Sequence, residues 1–523
     1  MASTHQTSSS SRPPLTAGIV GAGIAGLSAA VALRRAGFDE VQVYERSRLG
    51  DEVGAAISAP PNATVALRRW GFDFAAAGAV PNLCTRYAAA GDLGTVFRSE
   101  YEDIETAMGA PSLSFHRVDL HRGLRVLATG GDLDRGRGEG EGEGAGGRDK
   151  DKGTPVAIRL GCEIRSVDCE NGVLTLADGS RVQKDLVVIA DGARSSLLAD
   201  FLGYPPPSQP TGRSIYRWLV SMDDVMADPE LAEQYRDKLP GFLGWFDAAR
   251  RILWVNYTCR GGSVLNNAVV HDSEDYFAPQ SPLSDTGGLS GHGTHGERRE
   301  DEVEDERDTL WHVTAAKETV LQTLSNFHPA ARRIVSMASE DGIRVHRLYK
   351  RPPLESFVRG RAVIIGDAAH VMVPTHAAGG AVAIESASVL EALFTGLEGS
   401  LGTSSNSFND MTGGEETNSE RLEQGSDGTR ERVIQERLQL FDKLRVPRCN
   451  LTMLASNAGP EWLRIPGVEQ EIRRFYHGPL PSKESLPWSD EFREVLFHYD
   501  AFEAAIQALR DEKAKKNGGI QEQ

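Results

Sequence analysis

Leu15-Thr16-Ala17-Gly18-Ile19-Val20-Gly21-Ala22-Gly23-Ile24-Ala25-Gly26 is the stretch on which the fold turns. Its apolar run predicts a short strand over Leu15 to Val20, and its glycines predict a turn. The spacing of Leu27, Val31 and Leu33 predicts a helix from about Ile24 to Ala36, stopped by Gly37. Val41-Gln42-Val43-Tyr44 reads as a second strand, and Glu45 ends it 19 residues beyond Gly26. Strand, glycine turn, helix, strand and terminal acid make a Rossmann-type βαβ unit. In such a unit Gly21 makes the tight turn, Gly23 lets backbone approach a pyrophosphate, and Gly26 lets helix and strand pack closely. The first helical amides then face the phosphates. Glu45 is placed to accept hydrogen bonds from an adenosine ribose, which disfavours a 2′-phosphate there. The glycine pattern alone carries little. Gly142-Glu143-Gly144-Ala145-Gly146-Gly147 fits it too, inside a low-complexity loop with no strand before it.

The chain has 523 residues, room for two or three domains with substantial cores. A hydrophobic content of 40% and a charged content of 25% are ordinary for a globular protein. The net charge of −17 argues against nucleic acid or an anionic membrane as partner, since both select basic surfaces. Five scattered cysteines with no CxxC pair indicate neither a disulfide framework nor a metal site, and fit a reducing compartment. Met1 to Pro14 lacks the apolar core of a secretory signal, and no apolar run is long enough to span a bilayer. These features lead us to expect a soluble cytoplasmic protein with no stable membrane insertion. They leave the oligomeric state open.

Three stretches, 130–153, 271–307 and 399–429, are too polar and glycine-rich to bury a core and read as disordered insertions within one architecture. Around them we place a disordered N-terminal arm at 1–14 and the first part of a dinucleotide-binding domain at 15–200. A β-rich substrate domain follows at 201–355, the chain returns to the first domain at 356–398, and a helical region occupies 430–523. Within these spans, Leu174 to Leu176 and Arg181 to Ala190 read as strands around the Asp178-Gly179 turn. Arg251 to Tyr257 and Arg361 to Ile365 read as strands, and Gly380 to Phe394 as a helix. The expected fold is therefore α/β, with a discontinuous Rossmann-type domain, a β-sheet substrate domain and C-terminal helices.

The βαβ unit by itself can hold either NAD or FAD. Two later segments point to FAD. Val187-Val188-Ile189-Ala190-Asp191-Gly192 is a strand entering a polar glycine turn. In Arg361 to Ala387, RAVIIGDAAHVMVPTHAAGGAVAIESA, a strand delivers Asp367 to where its carboxylate can accept from ribityl hydroxyls. Gly379 and Gly380 then open a helix whose free amides can face an anionic flavin.

This order of motifs resembles the class A flavin-dependent aromatic monooxygenases, the salicylate and p-hydroxybenzoate hydroxylases. The likeness spans residues 18 to 390. It includes an arginine motif, Phe115-His116-Arg117-Val118-Asp119-Leu120, in which Arg117 would contact the flavin or its pyrophosphate. It also includes Gly54-Ala55-Ala56-Ile57, which would lie beside the FAD, and Arg445-Val446-Pro447-Arg448 extends it toward the C-terminus. Three positions depart from the family pattern: Ala378 where Gln is frequent, Ser386 where Asp is frequent, and Ala56 where the second glycine is frequent.

The resemblance implies a single-component FAD enzyme acting on a small aromatic molecule. NAD(P)H would be a transient electron donor, and a C4a-hydroperoxyflavin would hydroxylate a phenolic or otherwise electron-rich ring. An epoxidase or oxidative dearomatase on a polyketide or terpenoid, or a catalytically inactive flavin-binding protein, are the competing readings. For activation of the substrate two residues stand out. Arg213-Ser214-Ile215-Tyr216-Arg217 resembles the family's first substrate-domain strand, from which an inward Arg217 can pair with a phenolate or carboxylate, and Tyr257 ends a strand that can face the ring. A structural salt bridge and a packed core aromatic are their plainer roles. His370 is expected to serve the turn around it, and His376 to be a solvent-facing loop residue.

Overall fold

The computed structural model describes residues 13–48, 55–131, 153–273, 313–397 and 419–518. Its central layer is a six-stranded sheet in the order Val358–Arg359, Ala362–Ile364, Leu186–Ile189, Thr16–Val20, Glu40–Glu45, Ala157–Leu160. All neighbours pair in parallel except the first two. Leu186–Ile189 is buried at every position, as a strand covered on both faces must be. The helix Ile24–Ala36 matches its expected bounds and packs on the helix Gly379–Phe394, which is buried almost along its whole length. Alanine, valine and leucine all round such a helix are what a fully covered position requires.

The second large layer is an eight-stranded sheet. Its order is Val313–Thr314, Arg344–Lys350, Gln209–Ser221, Val264–Asp272, Ile252–Cys259, Gly241–Asp247, Cys84–Ala89, Thr95–Glu100. One face, with Tyr216, Trp218, Trp245, Trp254 and Val269, is sealed with residues of the helices Lys317–Thr323 and Pro329–Ser336. Part of the opposite face, including Phe242, Val255 and Tyr257, packs with Leu451 and Ala455 of the long helix Ser419–Ala458 and with Phe492 of Asp490–Leu496. Side chains alternate along a strand, so the two faces follow directly from the period of two.

Several boundaries differ from the sequence reading. Arg181 to Ala190 is not one strand: Arg181–Gln183 pairs in a small antiparallel sheet, while Leu186–Ile189 enters the central one. Asp185 marks the break, taking its carboxylate to the amide of Thr16 at 2.8 Å. The span 15–200 is not all dinucleotide domain, because Cys84–Ala89 and Thr95–Glu100 leave it to pair with Gly241–Asp247 and with each other. The strand Val264–Asp272 runs past the expected start of the insertion at 271. The helix Ser419–Ala458 begins ten residues before the expected end of the third insertion at 429. Most of the N-terminal arm, the remainder of the three insertions (132–152, 274–307, 399–418) and the second glycine pattern at Gly142 lie outside the described residues.

Candidate active site

Four adjacent parallel strands of the central sheet end on the residues singled out from sequence. Ala362–Ile364 leads to Asp367, Leu186–Ile189 to Asp191, Thr16–Val20 to the glycines, and Glu40–Glu45 to its own Glu45. Three inter-strand spacings of about 4.8 Å spread them over about 14 Å along one edge. That edge contains the switch point, since the chain runs from Thr16–Val20 to Glu40–Glu45 on one side and has Leu186–Ile189 on the other. Ligands of doubly wound sheets bind there.

The glycine loop divides its tasks as the spacing implies. Gly21 has φ 98°, and a Cβ on it would lie 2.5 Å from the Ala190 carbonyl oxygen. A Cβ on Gly26 would lie 1.9 Å from the Gly21 carbonyl oxygen, so only glycine permits that approach. Gly23 is different: its backbone is extended, and no protein atom lies within 4 Å of where its Cβ would be. That open side is the room a pyrophosphate needs. The helix it opens has neither a side-chain cap nor an acid in its first turn, leaving its amides to an anion. Glu45 braces the loop, accepting from the amides of Ala22 at 2.7 Å and Ser47 at 2.8 Å. His121 donates from Nε2 to the Ala22 carbonyl at 2.7 Å. Sequence reasoning did not single out His121, because a histidine inside a helix carries no local signal.

At the other end of the edge, Gly366 has φ 63° and backs onto Ala25, so the GD turn and the glycine helix interlock. Asp367 is exposed to solvent beside it. Asp191 is buried more deeply, and its Oδ1 has no hydrogen-bond partner among the described residues. Burial pushes its carboxyl up from the ordinary range, against the pull of the Ser195 hydroxyl and nearby main-chain amides. An orphaned acceptor here fits a ligand bearing hydroxyl donors, as the ribityl chain of FAD does. Gly379 and Gly380 open their helix without a cap, and a Cβ on Gly380 would lie 2.8 Å from the Ile57 side chain.

The eight-stranded sheet meets this edge through one hairpin. The amide of Ala56 donates to Asn266 Oδ1 at 3.0 Å, and the amide of Gly261 donates to the Gly78 carbonyl at 2.9 Å. Arg260 forks onto Asp119 at 2.8 and 3.3 Å, two residues beyond Arg117, whose own amide donates to the Ala55 carbonyl. Arg217 and Tyr257 project from the same sheet face as Asn266. Ala268 pairs with Arg217 on one side and Val255 on the other, and Asn266 likewise with Leu219 and Tyr257. Tyr257 packs edge-on to Phe242 at 5.0 Å. Burial pushes its hydroxyl up, partly opposed by the charge of Arg217. Burial lowers the Arg217 guanidinium, Tyr257 opposes this, and Arg117 adds a like charge.

His376 is corrected by the structure: it is fully buried. The long helix supplies Ser456 Oγ at 3.3 Å from its Nδ1, and Phe492 lies 4.9 Å from its ring. Burial holds His376 at about 3, and holds His370 at about 4 against the pull of Asp367. The unfolded chain takes up these protons near 6.5, so the histidine contribution to stability is complete above that pH and drains below it. Unfolding by urea between pH 7.5 and 5 is expected to show the two together lowering stability by about 2.7 kcal/mol per pH unit below 6.5. His376→Gln should halve that contribution; an unchanged slope refutes the assignment.

The strand ends, the open Gly23 and the orphaned Asp191 make an edge that fits a dinucleotide carrying hydroxyl groups. Comparison with known proteins carries this further. Residues 19–60 match the model of the NAD(P)-binding Rossmann-like domain, and residues 312–400 that of the FAD binding domain. The chain is 28% identical over 512 residues to the FAD-dependent monooxygenase cfoG of Aspergillus candidus, covering 96% of each. It is 29% identical over 386 residues to the hispidin-3-hydroxylase of Neonothopanus nambi, covering 72% of this chain and 79% of that one. Among solved structures, a salicylate hydroxylase substrate complex superposes with a TM-score of 0.62 at 20% identity, covering 95% of this chain and 98% of that one. HpxO of Klebsiella pneumoniae, complexed with FAD and uric acid, superposes with a TM-score of 0.58 at 18% identity, covering 94% and 97%. By these similarities the chain is an FAD-dependent monooxygenase, and it shares its fold with the salicylate hydroxylase.

One departure from the family pattern has a structural explanation. Ser386 is buried, its hydroxyl donating to the Val382 carbonyl at 2.9 Å and accepting from Arg445 Nε at 3.1 Å. It belongs to the packing behind the site. Among the described residues no helix is long and apolar enough to cross a membrane.

Proposed function

We propose that this enzyme hydroxylates a phenolic or other electron-rich aromatic substrate with NAD(P)H and dioxygen. The observation that carries the reading is the shared sheet face of Arg217, Tyr257 and Asn266, joined through the Ala56 amide to the strand Ala56–Ala59, whose Ile57 lies against Gly380 of the glycine-opened helix. FAD held there would supply the redox chemistry, by which two electrons from NAD(P)H let one oxygen atom of O2 enter the ring while the other leaves as water. Gly21, Gly23, Gly26, Glu45, Ala56, Arg117, Asp191, Asp367, Gly379 and Gly380 are the residues proposed to hold it.

The chain's own contribution is to position and charge the substrate. A phenol seated between the sheet face and the glycine loop meets the Arg217 guanidinium, which favours its deprotonated form and so makes the ring electron-rich. Arg117 adds a second positive charge to the same field. Tyr257 is protonated at neutral pH as any tyrosine is, burial pushes its hydroxyl further up, and it can donate to a substrate oxygen. Phe242, Val255 and the covering helix exclude water from one flank.

The test is purification with a visible spectrum, followed by a screen of phenols and hydroxybenzoates for stimulated NAD(P)H oxidation under air. Substrate-stimulated oxidation with a hydroxylated product supports the proposal. Bound flavin that no aromatic compound helps to reduce overturns it. On the active substrate, Arg217→Gln is expected to lower kcat/KM by about 10- to 100-fold, the worth of a charge-assisted hydrogen bond. Tyr257→Phe should cost about 2- to 10-fold, and substrate-free NAD(P)H oxidation should stay at the wild-type rate in both.

A further inference from the structure

Arg351 lies where the chain leaves the eight-stranded sheet, one residue after the strand Arg344–Lys350 and just before Pro352-Pro353. The proline restricts its backbone to extended conformations and so aims the side chain. Only 9% of it is exposed. Its guanidinium donates to the carbonyls of Ala193 at 2.8 Å, Asp367 at 2.8 Å and Ala368 at 3.0 Å. Those carbonyls belong to two strand-end connections, the loop following Leu186–Ile189 and the start of the short helix Asp367–His370 following Ala362–Ile364. Burial pushes the guanidinium down, while the charges of Asp367 and Asp191 hold it up.

We propose that Arg351 is a positioning residue for FAD that sets the spacing of the two aspartate loops. Among the described residues, all its hydrogen bonds go to main-chain carbonyls. The carboxylates of Asp191 and Asp367 are thereby held near one cation yet keep their lone pairs for ligand hydroxyls. One cation set beside two carboxylates offsets part of their charge and leaves the Asp191 acceptor facing the strand-end edge. A planar fork can join carbonyls from two loops at once, which a single ammonium on a flexible stem does poorly.

The inference rests on the strand-end edge holding FAD, which binding by the wild-type protein tests separately. The decisive measurement is the Kd for FAD by flavin fluorescence quenching, together with visible circular dichroism of the bound flavin. The variants are Arg351→Gln and Arg351→Lys. Arg359→Gln serves as control, because Arg359 also donates to two carbonyls, those of Asp200 and Phe201, but away from the edge. Arg351→Gln is expected to raise the Kd about tenfold or more and Arg351→Lys about threefold, both with altered flavin dichroism, while Arg359→Gln stays within about twofold. Should Arg351→Gln fail to fold, Arg351→Lys carries the test. A Kd for Arg351→Lys equal to wild type, with unchanged dichroism, overturns the proposal. So does an equal loss in Arg359→Gln.

Discussion

Gly23→Ala is expected to leave the cofactor-free protein as stable as the wild type, or more stable by up to about 1 kcal/mol, and to weaken FAD binding at least tenfold. The added methyl meets no protein atom within 4 Å, and the extended backbone at Gly23 suits alanine. It enters the space reserved for the pyrophosphate and pushes the phosphates off the helix amides. Gly26→Ala should behave in the opposite order. Its methyl would meet the Gly21 carbonyl oxygen at 1.9 Å, so the protein itself is destabilised before any cofactor is added. Thermal melting of the apo forms, followed by FAD titration, separates the two. Equal apo melting losses in both variants would defeat this account of the loop.

Glu385→Ala is expected to cost about 3–5 kcal/mol of stability, the usual loss when one partner of a buried ion group is removed. Glu385 is fully buried and binds Arg445 Nη2 at 2.7 Å, Arg448 Nη2 at 3.0 Å and Asn62 Nδ2 at 2.6 Å. Burial alone would raise its pKa, but Arg448 and Arg445 outweigh it and hold the carboxyl below its usual value. Without that carboxylate two guanidiniums remain in the interior with part of their charge uncompensated. Because the cluster joins the glycine-opened helix to the long C-terminal helix, denaturant unfolding with saturating FAD should show the full loss. A change under 1 kcal/mol would mean the pair contributes little.

The central sheet was largely legible because each of its motifs sits at a strand end, where a local pattern records a local need. Glycine at position 21 or 26 answers a clash that any side chain would cause, so spacing alone reports it. The second sheet was legible only in part. Nothing local in Cys84–Ala89 says that its partner is Gly241–Asp247, since pairing across so many residues depends on where the intervening chain goes. His376 was misjudged for the same reason: its burial is supplied by Ser456 and Phe492, far off in sequence. Arg351 escaped notice because its partners are main-chain oxygens, which leave no mark on the side chains around them. Arg217 was chosen because its strand resembles the first substrate-domain strand of the aromatic hydroxylases, and Tyr257 by its place at a strand end; the register places both on the face that meets Ala56.

The pairing of Cys84–Ala89 with Gly241–Asp247 also bears on how the chain is made. The earlier strand leaves the ribosome more than 150 residues before its parallel neighbour, in an apolar-lined segment with an unsatisfied edge. During that interval the nascent protein carries at most three of the eight strands of a sheet it cannot close, next to a dinucleotide fold whose own last parallel strand, Ala362–Ile364, comes later still. Unpaired edges of this kind template association between chains. A truncation ending before Gly241 leaves that strand without its parallel partner and is a poor vehicle for studying either half alone.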